Sequence, residues 1–263
     1  MIEALILFAT LGIFAGLIAG MFGVGGGIIT VPVLVVCFIQ YGFEETIMIH
    51  MAVGTSLACI VFTGISSAYA HKQKNAINYS FFKPIALGIV VGAFLGALFA
   101  VQLNGNILKI VIGVFALFVA IQMGINKEIR FKKRSEKNKE PYFVGTGIGF
   151  MSSVLGIGGG IFSVPYLKAS GLPMTASIGT SAACGVPIAI FGALGYVISG
   201  INNALLPPLT LGYIYLPALL GISLTSIIAA KYGAHIAHHV SEKILKRMMA
   251  GMMLLISFYM VFS

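Results

Sequence analysis

Charge is what this sequence has least of. Asp, Glu, Lys and Arg make up 9% of its 263 residues, where soluble domains carry about 25%. Ten of the 23 charged residues fall within 126–141, so the other 247 residues share 13. A water-facing surface cannot be built from so few, which excludes a soluble globular enzyme. Aspartate is absent altogether, and all seven acids are Glu, so no aspartyl dyad can form. No His-Glu-x-x-His run is present for zinc hydrolysis. Cysteine is scarce too: Cys37, Cys59 and Cys184 all lie in apolar segments, which argues against a disulfide framework. The start, Met1-Ile2-Glu3-Ala4, lacks a basic n-region and reads as no cleavable signal peptide.

What is present is apolar sequence, 59% of the chain, in recurrent runs. They lie near 4–20, 28–40, 47–70, 82–101, 107–125, 142–155, 161–170, 175–200, 209–230 and 244–262. A bilayer crossing takes about 20 residues, so six of the ten qualify. The remaining four form two short pairs, 4–20 with 28–40 and 142–155 with 161–170. Each pair is interrupted by glycines, at Gly23, Gly25, Gly26 and Gly27 and again at Gly156, Gly158, Gly159 and Gly160. Each glycine costs a helix roughly 1 kcal/mol relative to Ala. Pro32 and Pro165 follow the interruptions and each removes a helix donor.

Basic residues suggest how these pairs sit. If each pair crosses the membrane once, Lys and Arg divide 10 to 6 between the two faces; if each pair re-enters and returns, the division is 15 to 1, with only Lys109 opposite. The preference for positive charge inside selects the second arrangement, with both termini outside and the basic loops cytoplasmic in the cell membrane. The net charge of +9 then reports cytoplasmic loops rather than a nucleic-acid partner.

The chain also repeats itself. Gly23 to Leu34 reappears as Gly156 to Leu167, 133 residues later; Val53 to Cys59 reappears as Ile178 to Cys184, 125 later. Gly88, Gly92, Gly96 and Ala100 match Gly221, Thr225, Ala229 and Gly233 as close-packing stripes. The expected fold is an all-α polytopic membrane protein. It has two inverted repeats (1–125 and 142–263) joined by a basic cytoplasmic linker (126–141), each repeat holding one broken, re-entrant helix pair and three crossings. Secondary transporters share this plan.

The paired glycine signatures ending in Pro32 and Pro165, with a Gly-Thr-Ser block after each, resemble the sulfite exporter TauE/SafE family, also described as the toluene-sulfonate uptake permeases. The resemblance covers essentially the whole chain. It implies a permease for a small sulfur-containing anion such as sulfite, thiosulfate or a sulfonate, with direction left open.

The residues themselves suit an anion. A helix that begins inside a membrane presents unpaired N–H groups and the positive end of its dipole. Glycine lets that backbone approach a ligand closely. Thr30 and Ser163 add hydroxyls three residues beyond the clusters. Thr55, Ser56, Thr180 and Ser181 add more on the following helices, and none of the seven Glu lies deep within a span. Cys59 and Cys184 are repeat mates one turn after Thr55 and Thr180, so each shares a face with its threonine. The competing reading is structural: glycines permit close packing, Ser and Thr bond their own backbone, and the cysteines are small filler. Gly88, Gly92 and Gly96 read as packing alone, and Cys37 as filler.

His50 stands at the start of its span near Glu44 and Glu45, where it suits interfacial packing or a coupling proton. No intramembrane acid offers the usual proton relay, so the coupling ion stays open. His235, His238 and His239 lack an Asp or Cys to complete a metal site and suit loop solvation or anionic lipid. The run from Lys127 to Lys139 suits lipid phosphates. No cofactor or metal is expected. A passive anion channel of the same fold, an intramembrane enzyme and a non-transporting assembly partner are the alternatives.

Overall fold

The computed structural model describes residues 2–22, 26–125 and 140–237, with scattered positions between 244 and 260. It is almost wholly helical. Helices α1 (Ile2–Phe22) and α2 (Gly27–Gln40) flank the first glycine cluster. Then come α3 (Glu45–Gln73), α4 (Tyr79–Gln102) and α5 (Gly105–Ile125). The second half repeats the order with α6 (Glu140–Leu155), α7 (Gly160–Ala169), α8 (Met174–Gly200) and α9 (Leu216–Ala237). Among the described residues, five helices, α3, α4, α5, α8 and α9, are long and apolar enough to cross a membrane. The sixth expected crossing, 244–262, is described at scattered positions only, and Gly23, Gly25, 126–139, His238 and His239 lie outside the described residues.

Both expected breaks are present, and glycine rather than proline makes them. Gly26 and Gly159 hold matching left-handed conformations, φ 78° and 76°, as the residues ahead of α2 and α7. That region costs a residue with a Cβ about 1 kcal/mol or more. Pro32 and Pro165 instead sit inside α2 and α7, each at the sixth position of its helix. The first member of the first pair is longer than its apolar stretch suggested, since α1 runs 21 residues through Gly16 and Gly20.

Packing interleaves the halves. The most extensive interfaces pair α1 with α9 and α4 with α6, each joining one half to the other, while α3 and α8 pack together at the centre. On α4, a Cβ at Gly88, Gly92 or Gly96 would meet backbone of Tyr142, Thr146 or Phe150 on α6. On α9, one at Gly233 would meet the Leu17 backbone of α1. The small residues therefore let two backbones touch. Their outer faces, such as Leu87, Val91, Leu95 and Phe99 on α4 and Leu220, Leu224 and Ile228 on α9, are exposed, as lipid-facing residues are.

Two sequence expectations need correction here. The apolar stretch 209–230 is not one helix: a short antiparallel hairpin, β1 (Thr210–Leu211) and β2 (Ile214–Tyr215), precedes α9. Pro207 and Pro208 keep that segment from being helical, and Gly212 turns it at φ 54°. The second correction concerns register. Gly96 faces Phe150 on α6, and Gly233 faces Leu17, the residue 133 positions before Phe150. Gly96 is therefore matched by Gly233, an offset of 137, one turn beyond the expected 133. The hairpin contributes to it, because the α8–α9 connection carries 10 more residues than the α3–α4 connection.

Candidate functional site

The two breaks meet at the centre of the molecule. A Cβ on Gly27, the first residue of α2, would collide with the Gly156 carbonyl oxygen and approach Ile60 and Ser56. Ser56 Oγ on α3 donates to that same carbonyl at 2.8 Å. Gly156 has φ 69° and lies against Val31 and Val53. Of the glycines the sequence singled out, Gly27 and Gly156 meet at this junction; Gly26 packs on Ala15, Gly159 on Ile188 and Ser152, and Gly158 presents its carbonyl to Gly185 on α8, while Gly160 begins α7.

Local geometry repeats closely. Amides of Ile29 and Thr30 donate to Gly26 O at 3.2 and 3.3 Å, and those of Phe162 and Ser163 to Gly159 O at 3.0 and 2.9 Å. Thr30 Oγ1 and Ser163 Oγ return to the same two carbonyls at 3.1 and 2.9 Å. Neither helix has a side-chain cap. The amides of Gly27, Ile28, Gly160 and Ile161 precede the first bonds of their helices, which leaves donors and positive potential at each start. Ser163 and Ser181 exchange a hydrogen bond at 2.8 Å.

Thr55 and Thr180 do something the sequence did not reveal. Thr55 Oγ1 accepts the amide of Tyr215 at 2.9 Å, and Thr180 Oγ1 accepts the amide of Asn78 at 2.9 Å. Tyr215 and Asn78 are the residues immediately before α9 and α4. The glycines beside the threonines complete the contact, since a Cβ on Gly54 would press on Tyr213 O and one on Gly179 on Ala76 O. Each Gly-Thr pair therefore clasps the turn leading into a helix of the opposite half. The duplicated block marks the two threonines in the sequence, but nothing in it names the turns that reach them.

Between the helix starts lies a cavity of about 20 Å³, bounded by Gly27, Ile28 and Val31 of the first half and Leu155, Ile157 and Ile161 of the second, with Ile112, Phe115, Ala116 and Met253. That volume holds about one water. Its walls are almost wholly apolar. The surrounding hydroxyls are deeply buried: Thr30, Thr55, Ser56, Ser163, Thr180 and Ser181 are each 2% exposed or less.

Cys59 and Cys184 are buried in α3 and α8 and do not line this cavity; Cys59 lies within reach of Ser223 on α9. Cys37 is buried in α2. His50 is buried within the protein. Its Nδ1 lies 3.2 Å from Thr46 O and its Nε2 3.1 Å from Leu103 O, with the ring 5.6 Å from that of Tyr213. It ties the start of α3 to the residue that ends α4. Among the described residues, no group of three His, Cys, Asp or Glu is placed to hold a metal ion.

A family model described as "Sulfite exporter TauE/SafE" matches residues 8–260. The chain is 35% identical over 261 residues to a "Probable membrane transporter protein" of Haemophilus influenzae, covering 99% of each. It is 28% identical to the "Probable membrane transporter protein MJ0441" of Methanocaldococcus jannaschii, over 95% of this chain and 92% of that one. With the "Probable membrane transporter protein YunE" of Bacillus subtilis it shares 28% identity, over 75% and 80% of the two chains. No solved structure matches.

Proposed function

The chain belongs to the sulfite exporter TauE/SafE family of membrane transporters, and on that premise we propose that it is a secondary carrier for a small sulfur-containing anion, such as sulfite, thiosulfate or a sulfonate. The anion is held between the glycine-broken helices, and the protein works in the cell membrane with its basic loops cytoplasmic. One observation carries this reading: the uncapped starts of α2 and α7 flank a cavity that no carboxylate lines. Neutral donors with positive helix potential favour an oxyanion. A proton-transfer or nucleophilic centre has no comparable support, so the reading is transport rather than catalysis.

At about 20 Å³ the cavity is too small for a four-atom oxyanion. Admission then needs the first turns of α2 and α7 to part, and the interleaved halves give that motion a rigid frame on either side. The test is flux in proteoliposomes loaded with sulfite or thiosulfate. Saturable uptake with counterflow is expected, and Gly26→Leu or Gly159→Leu should abolish it while the protein still inserts. Wild-type flux in both variants would remove the site from this junction, and unitary currents would replace the carrier by a channel.

A further inference from the structure

Ser152 and Ser153, in the last turn of α6 before the second break, are fully buried, yet their hydroxyls meet no partner among the described residues. A serine within a helix ordinarily returns its hydroxyl to the carbonyl one turn back, as Thr30 and Ser163 do. Ser152 does not. Its Oγ lies 3.2 Å from where a Cβ would stand on Gly159, the residue that caps α7. Gly159 has no side chain to offer, and the Gly160 and Ile161 amides beyond it are unused by the helix. An orphan hydroxyl thus lies against the residue from which a ten-residue helix starts, close in sequence to Ile157 and Ile161 of the cavity wall. Ile188 Cδ1 and Ile148 Cγ2 pack against the same residue, so Ser152 Oγ is the polar side-chain atom nearest to it.

The first half has no equivalent. The positions matching Ser152 and Ser153 are Ala19 and Gly20, and the first residue of α2 already abuts the Gly156 carbonyl that Ser56 holds. The break pair is symmetric in backbone and asymmetric in chemistry.

We propose that the anion is seated on one side of the junction, its oxygens taken by the α7 amide end and by Ser152 Oγ, with the start of α2 closing over it. This rests on the transport reading above and adds to it a specific donor and a specific half. The hydroxyl is kept unpaired in the closed protein because its acceptor arrives with the substrate. Leaving a buried polar group unsatisfied is costly, and a guest oxyanion removes that cost through a charge-assisted bond.

The experiment is a titration of the purified full-length protein in lipid nanodiscs with sodium sulfite, sodium thiosulfate and methanesulfonate, read as melting temperature and as a dissociation constant. In Ser152→Ala, the anion-free melting temperature should equal or exceed that of the wild type, and affinity should weaken roughly tenfold. Ser152→Cys, which keeps the shape and weakens the donor, should fall between. Ser67→Ala removes an equally buried orphan hydroxyl elsewhere on α3 and should bind as the wild type does. Wild-type affinity in Ser152→Ala overturns the seat while leaving the carrier reading intact. A lower anion-free melting temperature in that variant also overturns it, because the hydroxyl would then be structural. No stabilisation of the wild type by any of the three anions overturns the seat and the sulfur-anion reading together.

Discussion

Ser56 Oγ donates to the Gly156 carbonyl at 2.8 Å, across 100 residues of sequence, and so ties the long central helix of one half to the broken backbone of the other. Ser56→Ala should cost about 0.6–1.7 kcal/mol, the range for interhelical hydrogen bonds in membranes, and should lower the melting temperature in nanodiscs. Flux should fall by more than that loss of stability implies, because the junction is then held by apolar contacts alone. An unchanged melting temperature and unchanged flux would remove Ser56 from the junction.

Gly27 and Gly147 make opposite predictions for the same substitution. Gly27→Ala places a Cβ on the Gly156 carbonyl, so transport should be lost and the folded protein destabilised by at least 1–3 kcal/mol. Gly147 lies within α6 with open space around its missing Cβ. Gly147→Ala should therefore stabilise by roughly 0.5–1 kcal/mol through helix propensity, while Gly145→Ala and Gly149→Ala on the same helix should destabilise against α4. Thermal melts of the four variants decide it.

The clasps should behave as equivalents. Thr55→Val strips the acceptor from the Tyr215 amide and Thr180→Val from the Asn78 amide, with shape preserved. Each should cost about 1 kcal/mol. Hydrogen exchange should quicken at the turn the altered threonine holds, ahead of α9 for the first variant and ahead of α4 for the second. Exchange changes confined to the mutated helix would argue against the cross-half role.

His50→Leu leaves the Leu103 carbonyl without its ring partner. Exchange at 103–106, the turn from α4 into α5, should rise several-fold with little change at the junction of the breaks. Abolished transport in a variant whose fold is intact would instead assign His50 to the translocation cycle.

Sidedness is open to direct labelling. The three native cysteines are buried, so single cysteines at Gly42 and at Gly171, both with open space at the Cβ position, can be probed with a membrane-impermeant maleimide. The 15-to-1 division of basic residues predicts labelling from opposite faces, Gly42 from outside. Labelling of both from one face would replace the re-entrant arrangement by single crossings.

Membership of the membrane class was determined by composition alone, because a chain with 9% charged residues cannot dress a soluble surface. The breaks at 23–26 and 156–159 were equally legible, since clustered glycine acts locally on helix propensity. The duplication and the family followed from the same motifs. Register did not. A stripe that repeats every fourth residue matches itself after a shift of four, so Gly88 to Ala100 fits the second half almost as well at 133 as at 137. Only the backbone contacts of Gly96 with Phe150 and Gly233 with Leu17 choose between them. The partners of Thr55 and Thr180 were beyond reach for a related reason: spacing assigns a side chain to a helix face, but which turn arrives there from more than 100 residues away depends on how the two halves interleave. Ser152 carried no signal, because a serine with its hydroxyl returned to the helix and one with it withheld read the same. Local propensity breaks the helices; long-range packing decides what the broken ends face.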